Sequence, residues 1–238
     1  MMRQKAILSS PRAWLDDELI NAAQYMLREQ HPLIGGFQST LLGDCLAMTA
    51  PTSEVVQILL ICNDHWVAIS TVGCQPSTVK VFDSLGGRLP KRSVKLVADL
   101  LQSKEEAITF AFVDVQKQDG GSDCGLFAIA FITSICNGQD PTVLRYNQSA
   151  MRSHLLQCIE QGHMTPFPSV PGRNPSKSTE DVVPIYCLCR LIDDGKKMIQ
   201  CAGCNEWFHV ACVQVEKKFI ACRKLDWFCP SCTHKDSN

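Results

Sequence analysis

Two rhythms of apolar residues run through the first two thirds of the chain. Between Asp16 and His31, residues Leu19, Ile20, Ala23, Met26 and Leu27 recur at the spacing that gathers them on one helical face, with Asp16 placed to cap the start and His31-Pro32 to end it. Four β-rich runs predict one central sheet: VVQILLI at 55–61, HWVAISTV at 65–72, VKVFD at 79–83 and ITFAFVDV at 108–115. A second helical pattern, with Leu96, Val97, Leu100 and Leu101 on one face, separates the last two strands. CGLFAIAFITSIC at 124–136 is apolar all round and predicts a buried helix. The rhythm then breaks. Pro166, Pro168, Pro171 and Pro175 lie among small polar residues, which disfavours helix and sheet and predicts an extended tether over 166–183. The expected organisation is a domain over 1–165, a proline-rich linker over 166–183 and a small domain over 184–238.

Composition changes this picture little. With 45% hydrophobic and 20% charged residues, the 238-residue chain has the balance of globular domains. A formal net charge of -1 and the lack of a basic patch give no expectation of direct nucleic-acid binding. No run of about 18 apolar residues predicts a membrane span, and the N-terminal segment does not read as a signal peptide. A reducing, intracellular location is therefore expected. In such a compartment the fourteen cysteines point to metal ligation or catalysis rather than disulfides. They crowd between Cys187 and Cys232, around His209.

Before that cluster one cysteine stands out. QDGGSDCG at 118–125 puts Cys124 where a polar, glycine-rich loop gives way to the apolar helix, so its sulfur would sit at a helix N-terminus, where N–H groups and the helix dipole favour an anion. Taken alone, a buried core cysteine is the commoner explanation. A thiolate nucleophile needs a base, and His65 opens a strong strand. If HWVAIS and VKVFD are neighbours, Asp83 lies beside His65 and can orient its ring, whereas Asp64, the adjacent strand residue, points to the other face.

Four motifs in order, WLDDELIN at 14–21, HW at 65–66, DSL at 83–85 and QDGGSDCG at 118–125, resemble the cysteine proteases specific for ubiquitin-like modifiers of the SUMO type. The resemblance implies a papain-like α+β fold with a central sheet and a buried catalytic helix. It implies Cys124 as nucleophile, His65 as general base and Asp83 as the residue holding the imidazole. Gln118 would join the Cys124 backbone N–H in stabilising the oxyanion. Trp14 and Trp66 would cover a channel so narrow that only the modifier's two C-terminal glycines pass. Such chemistry needs no metal. The implied partner is SUMO, or NEDD8 or ubiquitin, with its conjugates; the compact size of the region leaves the modifier open.

The C-terminal region presents four cysteines, one histidine and three cysteines at metal-ligand spacing, in a segment too short to fold securely on apolar burial alone. Order and spacing, with Trp227 two residues before Cys229, resemble a plant homeodomain (PHD) finger. A RING finger is the competing pattern. The PHD resemblance implies a cross-brace with two structural zinc ions, one on Cys187, Cys189, His209 and Cys212, the other on Cys201, Cys204, Cys229 and Cys232, with Cys222 left over. It also implies that Tyr186, Met198 and Trp207 line a pocket for a histone tail, with a methylated lysine held by cation–π attraction. Asp193 and Asp194 would add charge for a basic peptide, and the KKMIQ stretch a strand edge. Ala202 departs from the acidic residue many such readers carry there, and a zinc knot used only for folding stays open.

Together these readings predict a nuclear cysteine protease directed to chromatin. A catalytically silent binding protein, a protein encoded by a mobile element and an acetyltransferase of related fold are the alternatives.

Overall fold

The computed structural model describes residues 2–44, 48–50, 53–62, 64–221 and 225–233. The chain opens with α1 (Met2–Ser9) and α2 (Asp17–Gln30), the latter capped by the Asp16 carboxylate, which accepts from the Leu19 amide at 3.1 Å. Of the apolar stripe Leu19, Ile20, Ala23 and Leu27 are buried and Met26 is half-buried, with the polar Gln24 buried beside them. A two-residue strand β1 (Gly35–Gly36) and a short helix α3 (Leu41–Asp44) lead to the hairpin of β2 (Val55–Ile61) and β3 (His65–Ser70). Strand β4 (Thr78–Phe82) follows antiparallel to β3. Helix α4 (Lys91–Leu101) then crosses over to β5 (Ala107–Phe112), which runs parallel to β4, as a strand–helix–strand connection requires. All four expected strands and all three expected helices therefore form, with ends shifted by up to three residues.

The sheet is buried on both faces, which is why its strands read as almost continuous apolar runs. One core packs Ile58, Trp66 and Ala68 against α2 and the helix α5 (Cys124–Cys136), whose residues Cys124 to Ser134 are all buried. Phe127 and Phe131 of that helix pack at 5.7 Å between ring centres, and each meets Tyr146 edge-on. A second core, on the other face, packs Val67 and Ile69 against Leu96, Val97 and Leu100 of α4.

Beyond α5 the structure departs from expectation. Helix α6 (Gln148–Gln161) packs under α1 and α5, burying Met151, Leu155 and Cys158. The segment expected as a tether is strapped down. Strand β6 (Leu144–Tyr146) pairs with β7 (Ser169–Pro171). The Arg173 guanidinium donates to the Asp114 and Thr142 carbonyls at 2.9 and 2.5 Å, and the Ser176 amide donates to the Asp114 carboxylate at 2.8 Å. Residues Thr179–Pro184 form β8, which adds antiparallel to β5 and completes a six-stranded sheet in the order β1-β2-β3-β4-β5-β8. Pro184 ends that strand, where a missing N–H costs no ladder bond, and an edge strand tolerates the polar composition that had suggested a linker.

The finger continues directly from β8. It holds a hairpin of β9 (Met198–Gln200) and β10 (Trp207–His209) and three short helices, α7 (Val210–Val213), α8 (Lys217–Ala221) and α9 (Pro230–Thr233). Its apolar heart is small, with Phe208 and Trp227 packed edge-on at 5.5 Å among buried cysteines. Ile185 and Ile192 are instead part of the α4-side core of the larger domain. No helix among the described residues is long and apolar enough to cross a membrane.

Candidate active site and metal centres

The register of β3 on β4, with Ala68 opposite Phe82, carries Asp83, one residue past the strand end, alongside the start of β3. There its Oδ1 lies 2.7 Å from Nε2 of His65. The same carboxylate oxygen accepts from the Leu85 amide at 2.8 Å, and Lys117 donates to the Asp83 carbonyl at 2.9 Å, so the acid is fixed from several sides. With Nε2 occupied, Nδ1 is the nitrogen left over; it is buried with no hydrogen-bond partner. Cys124, only 2% exposed at the first position of α5, lies close enough to the ring to help hold its proton. Burial works against the imidazolium, but the hydrogen bond to Asp83, the nearby Cys124 sulfur and the charges of both outweigh it and raise the His65 pKa to about 9. Burial likewise opposes the Asp83 charge, yet the bonds from His65 and the Leu85 amide leave that carboxyl below its usual range. Asp64 stands exposed and takes no part, as the alternation of strand residues requires.

Gln118 is buried on the same loop. Its Oε1 accepts from the Ser84 hydroxyl at 2.7 Å, its backbone amide donates to the Ser84 carbonyl, and its Nε2 donates to the Gly120 carbonyl at 3.0 Å. The glutamine and the DSL segment are thus tied to one another, with the amide group facing the loop that leads into Cys124. Trp14 and Trp66 line one cleft of about 220 Å³ together with Leu15, Asp17, Thr40, Leu41, Leu60 and Asp64. Trp66 is 6% exposed, with its indole N–H donating to the Leu15 carbonyl at 3.0 Å; Trp14 is 53% exposed at the rim. Steric room accounts for the glycine after Cys124. A Cβ there would stand 3.0 Å from Leu15, 3.1 Å from the Trp66 ring and 3.2 Å from Ile20, so the helix can approach this wall only without a side chain.

Sequence reasoning missed the far side of the loop, where α6 supplies Gln148 and Arg152. Gln148 exchanges hydrogen bonds with the Asp119 backbone, donating at 2.9 Å and accepting at 2.8 Å, and also donates to Asp123 at 2.7 Å. Arg152 pairs with Asp123 at 2.6 Å. The apolar positions Met151, Leu155 and Cys158, at helical spacing, could have signalled the helix; nothing local marks its two polar residues.

In the finger, the two expected ligand sets are each assembled. Cys187, Cys189, His209 and Cys212 form one group and Cys201, Cys204, Cys229 and Cys232 the other, with the donor atoms of each group within 4.8 Å of one another. The sets alternate along the chain, as a cross-brace demands. Cys222 lies outside the described residues. The donors suit zinc: four soft ligands per site, with backbone amides turned onto the sulfurs, His209 N–H to Cys187 at 3.3 Å and Cys229 N–H to Cys201 at 3.2 Å. The thiols of each group lie close enough to shift one another's protonation. Despite burial, amide donors draw Cys201 down to about 6, whereas Cys232 is pushed up to about 12, chiefly by Cys229 beside it. A divalent cation resolves that conflict, because it lets all four ligands lose their protons. His209 faces Cys189 through Nδ1 at 3.2 Å, while its Nε2 is buried without a hydrogen-bond partner, the Asp194 carboxylate standing 3.5 Å away.

Of the expected peptide pocket, Met198 and Trp207 line a common cavity of about 530 Å³ with Ile199, Phe219, Ile220 and Trp227. Tyr186 does not line it; its backbone bridges to Leu191, and its ring packs on the finger core. Asp194 is not free for a basic peptide either. It pairs with Lys196 at 2.8 Å and with Lys95 of α4 at 3.3 Å, and these lysines hold it below the usual carboxylate range. Among the described residues strand β9 pairs on one side, with β10, and no strand pairs with its outer edge.

Residues 187–232 match the family model described as PHD-finger. Over 52 residues, 22% of this chain and 12% of the relative, the region is 40% identical to Set1 complex component spp1 of Schizosaccharomyces pombe. Over 59 residues it is 48% identical to histone lysine demethylase PHF8 of Danio rerio, an alignment spanning 23% of this chain and 6% of that protein. The chain thus spans only a small part of these relatives. In three dimensions it resembles the C-terminal Ulp1 protease domain solved in complex with SMT3, the yeast orthologue of SUMO. That likeness has a TM-score of 0.53 at 17% identity and covers 67% of this chain and 82% of that one. SUMO protease Ulp1 with its catalytic cysteine oxidised to a sulfonic acid gives 0.55 at 16% identity, over 67% and 83%. At these identities the likeness is one of fold.

Proposed function

We propose that this chain, a SUMO-protease fold joined to a PHD finger, is a cysteine peptidase that cleaves after the C-terminal Gly-Gly of a ubiquitin-like modifier, SUMO first among them. The observation that carries the reading is the imidazole of His65, held by Asp83 at 2.7 Å with its free nitrogen left for Cys124 at the start of a helix. His65 takes the thiol proton, and the Cys124 sulfur attacks the carbonyl carbon of the terminal glycine. As the tetrahedral intermediate collapses, the C–N bond breaks and the leaving amine receives the proton from His65; water, activated by the same imidazole, then hydrolyses the thioester. The Cys124 amide and the Gln118 side chain supply the oxyanion donors, Gln118 once its Nε2 turns from the Gly120 carbonyl. The cleft lined by Trp14 and Trp66 would take the glycine pair, and selectivity would come from the exclusion of bulkier residues beside the scissile bond.

Two zinc ions, one on each ligand set, supply folding energy to the finger and no step of the hydrolysis. The resemblance of the finger to chromatin-associated relatives supports a nuclear protein whose finger docks a histone tail against the cavity of Met198 and Trp207 and the open edge of β9.

Electrophilic C-terminal probes made from SUMO, NEDD8 and ubiquitin test the first reading. Labelling of Cys124 by at least one is expected and should vanish in Cys124→Ala. Folded protein that reacts with none would return the chain to the catalytically silent alternative, and turnover of acetyl-coenzyme A would favour an acetyltransferase. For the finger, titration with unmodified and methylated histone-tail peptides is the matching test; no affinity for any of them leaves a zinc knot used only for folding.

A further inference from the structure

Arg152 lies outside every motif that identified the site, yet its guanidinium joins three separate parts of it. Nη2 donates to Asp123 Oδ1 at 2.6 Å and to the Ala13 carbonyl at 2.6 Å, while Nη1 donates to the Ile7 carbonyl at 3.2 Å. Asp123 immediately precedes the nucleophile, and Ala13 immediately precedes Trp14. Both partners of the ion pair are buried, with side chains 11% and 12% exposed, in contrast to the surface pairs of the molecule. Gln148, one helical turn earlier, takes the other carboxylate oxygen at 2.7 Å.

The Asp123 carboxylate is drawn away from its ordinary task. At the N-cap position of α5 an aspartate usually accepts from the first-turn amides, but here it makes no capping hydrogen bond. Its two oxygens are taken by Arg152 and Gln148 instead, so the amides at the head of α5 carry no side-chain cap beside Cys124. One planar group thereby fixes the residue before the sulfur, the segment leading to the exposed indole and the end of α1 in a single frame.

We propose that Arg152 is a positioning residue that holds the Trp14 wall of the tail channel in register with Cys124, acting through Asp123 and the Ala13 carbonyl. This rests on the peptidase reading above. A planar fork can meet these acceptors together, whereas a lysine ammonium keeps the charge without the geometry. The alignment of a bound tail should therefore depend on Arg152, and the intrinsic reactivity of the sulfur much less.

The test compares two reagents on the full chain. One is a modifier probe with a Gly-Gly electrophile, which must thread the channel; the other is iodoacetamide, which need not. In Arg152→Met, probe labelling of Cys124 is expected to fall by about 100-fold and alkylation by less than about threefold, the scale of loss that follows from displacing a reacting group by about 1 Å. Arg152→Lys should fold as the wild type does and still lose most of the probe rate, with substrate turnover reduced in kcat more than in KM. Should Arg152→Met unfold, the lysine variant carries the test alone. Parallel loss of both reactions, in step with the folded fraction, would show a merely structural arginine and overturn the proposal, as would unchanged probe labelling. Wild-type protein that alkylates but accepts no modifier probe defeats the peptidase reading first, a different outcome from either.

Discussion

The larger domain and the finger place their cysteines in opposite settings, and their packing differs accordingly. In the larger domain Cys124 is a single sulfur, outside the metal-ligand clusters found among the described residues, buried at a helix start and close to one imidazole; the fold around it is secured by two apolar cores on either side of a sheet. In the finger, eight ligands are gathered in two groups, and the apolar heart amounts to Phe208 and Trp227 with the ligating cysteines themselves. Where the hydrophobic effect suffices, a sulfur can be left reactive. Where it does not, sulfur is consumed in holding the fold.

Metal removal should break this contrast most sharply. Ligation is worth on the order of 10 kcal/mol to a small zinc domain, far more than its little core can replace. Treatment with a strong chelator is expected to collapse the amide NMR dispersion of residues 187–232 while signals from α5 and its neighbours persist. A finger that keeps its dispersion when shown free of metal would overturn the assignment of the two ligand sets.

Next in size is the loss of the His65 orienter. The folded imidazole holds its proton up to about 9 against an ordinary value of 6.5. The stabilisation from this pair is therefore complete below pH 6.5 and is lost as pH climbs through about 9. In Asp83→Asn the imidazole keeps its burial and loses its anion, so the alkaline limb of activity should move down from near 9 and turnover should drop by about 10⁴-fold, the scale seen for the equivalent change in a Ser-His-Asp triad. An unmoved alkaline limb would mean that another group sets it.

These predictions touch what the sequence made legible, and the reasons are physical. His65, Asp83 and Cys124 each sit at a boundary that local pattern reveals: the first residue of an apolar run, the end of one, and the junction of a glycine-rich loop with an apolar helix. Antiparallel pairing of neighbouring strands then brings two of them together. Arg152 and β8 were not legible, for different reasons. The role of Arg152 depends on α6 arriving beneath the loop, a tertiary fact with no local mark. Residues 179–184 carry the polar and proline-flanked composition of a linker, and only the exposed edge of β5 makes them a strand, since strand propensity yields to the partner available. Tyr186 was placed beside Met198 and Trp207 by the resemblance to a PHD finger; the cavity those two line does not include it, and its backbone bridges to Leu191 where the finger joins the larger domain.

A smaller effect tests how tightly the nucleophile's helix meets the tryptophan wall. Gly125→Ala puts a methyl 3.0 Å from the Leu15 Cβ and 3.1 Å from the Trp66 ring, neither of them the loose end of a flexible chain. Overpacking of this kind costs about 1–3 kcal/mol, read as a lower denaturant midpoint at unchanged slope. No change in midpoint would mean that the wall yields freely and does not define the channel.

The smallest effect concerns the seam between the halves, where the contrast stops being absolute. Arg190, between the finger's first ligands and the core residue Ile192, donates to the carbonyls of Ser103 at 3.2 Å and Lys104 at 3.3 Å, and to that of Glu105, just beyond the end of α4. Lys95 of the same helix reaches Asp194, which in turn approaches the ligand His209. If the zinc-built loop presents Arg190 to the larger domain, Arg190→Gln should cost about 1 kcal/mol, a fall of about 2–4 °C in the Tm of the α5 core for a chain of this size. The same substitution should cost nothing once zinc is stripped, because the loop that presents the arginine no longer holds its shape. Equal effects with and without metal would show that the finger and the protease-like domain stand independently, each with its own use of sulfur.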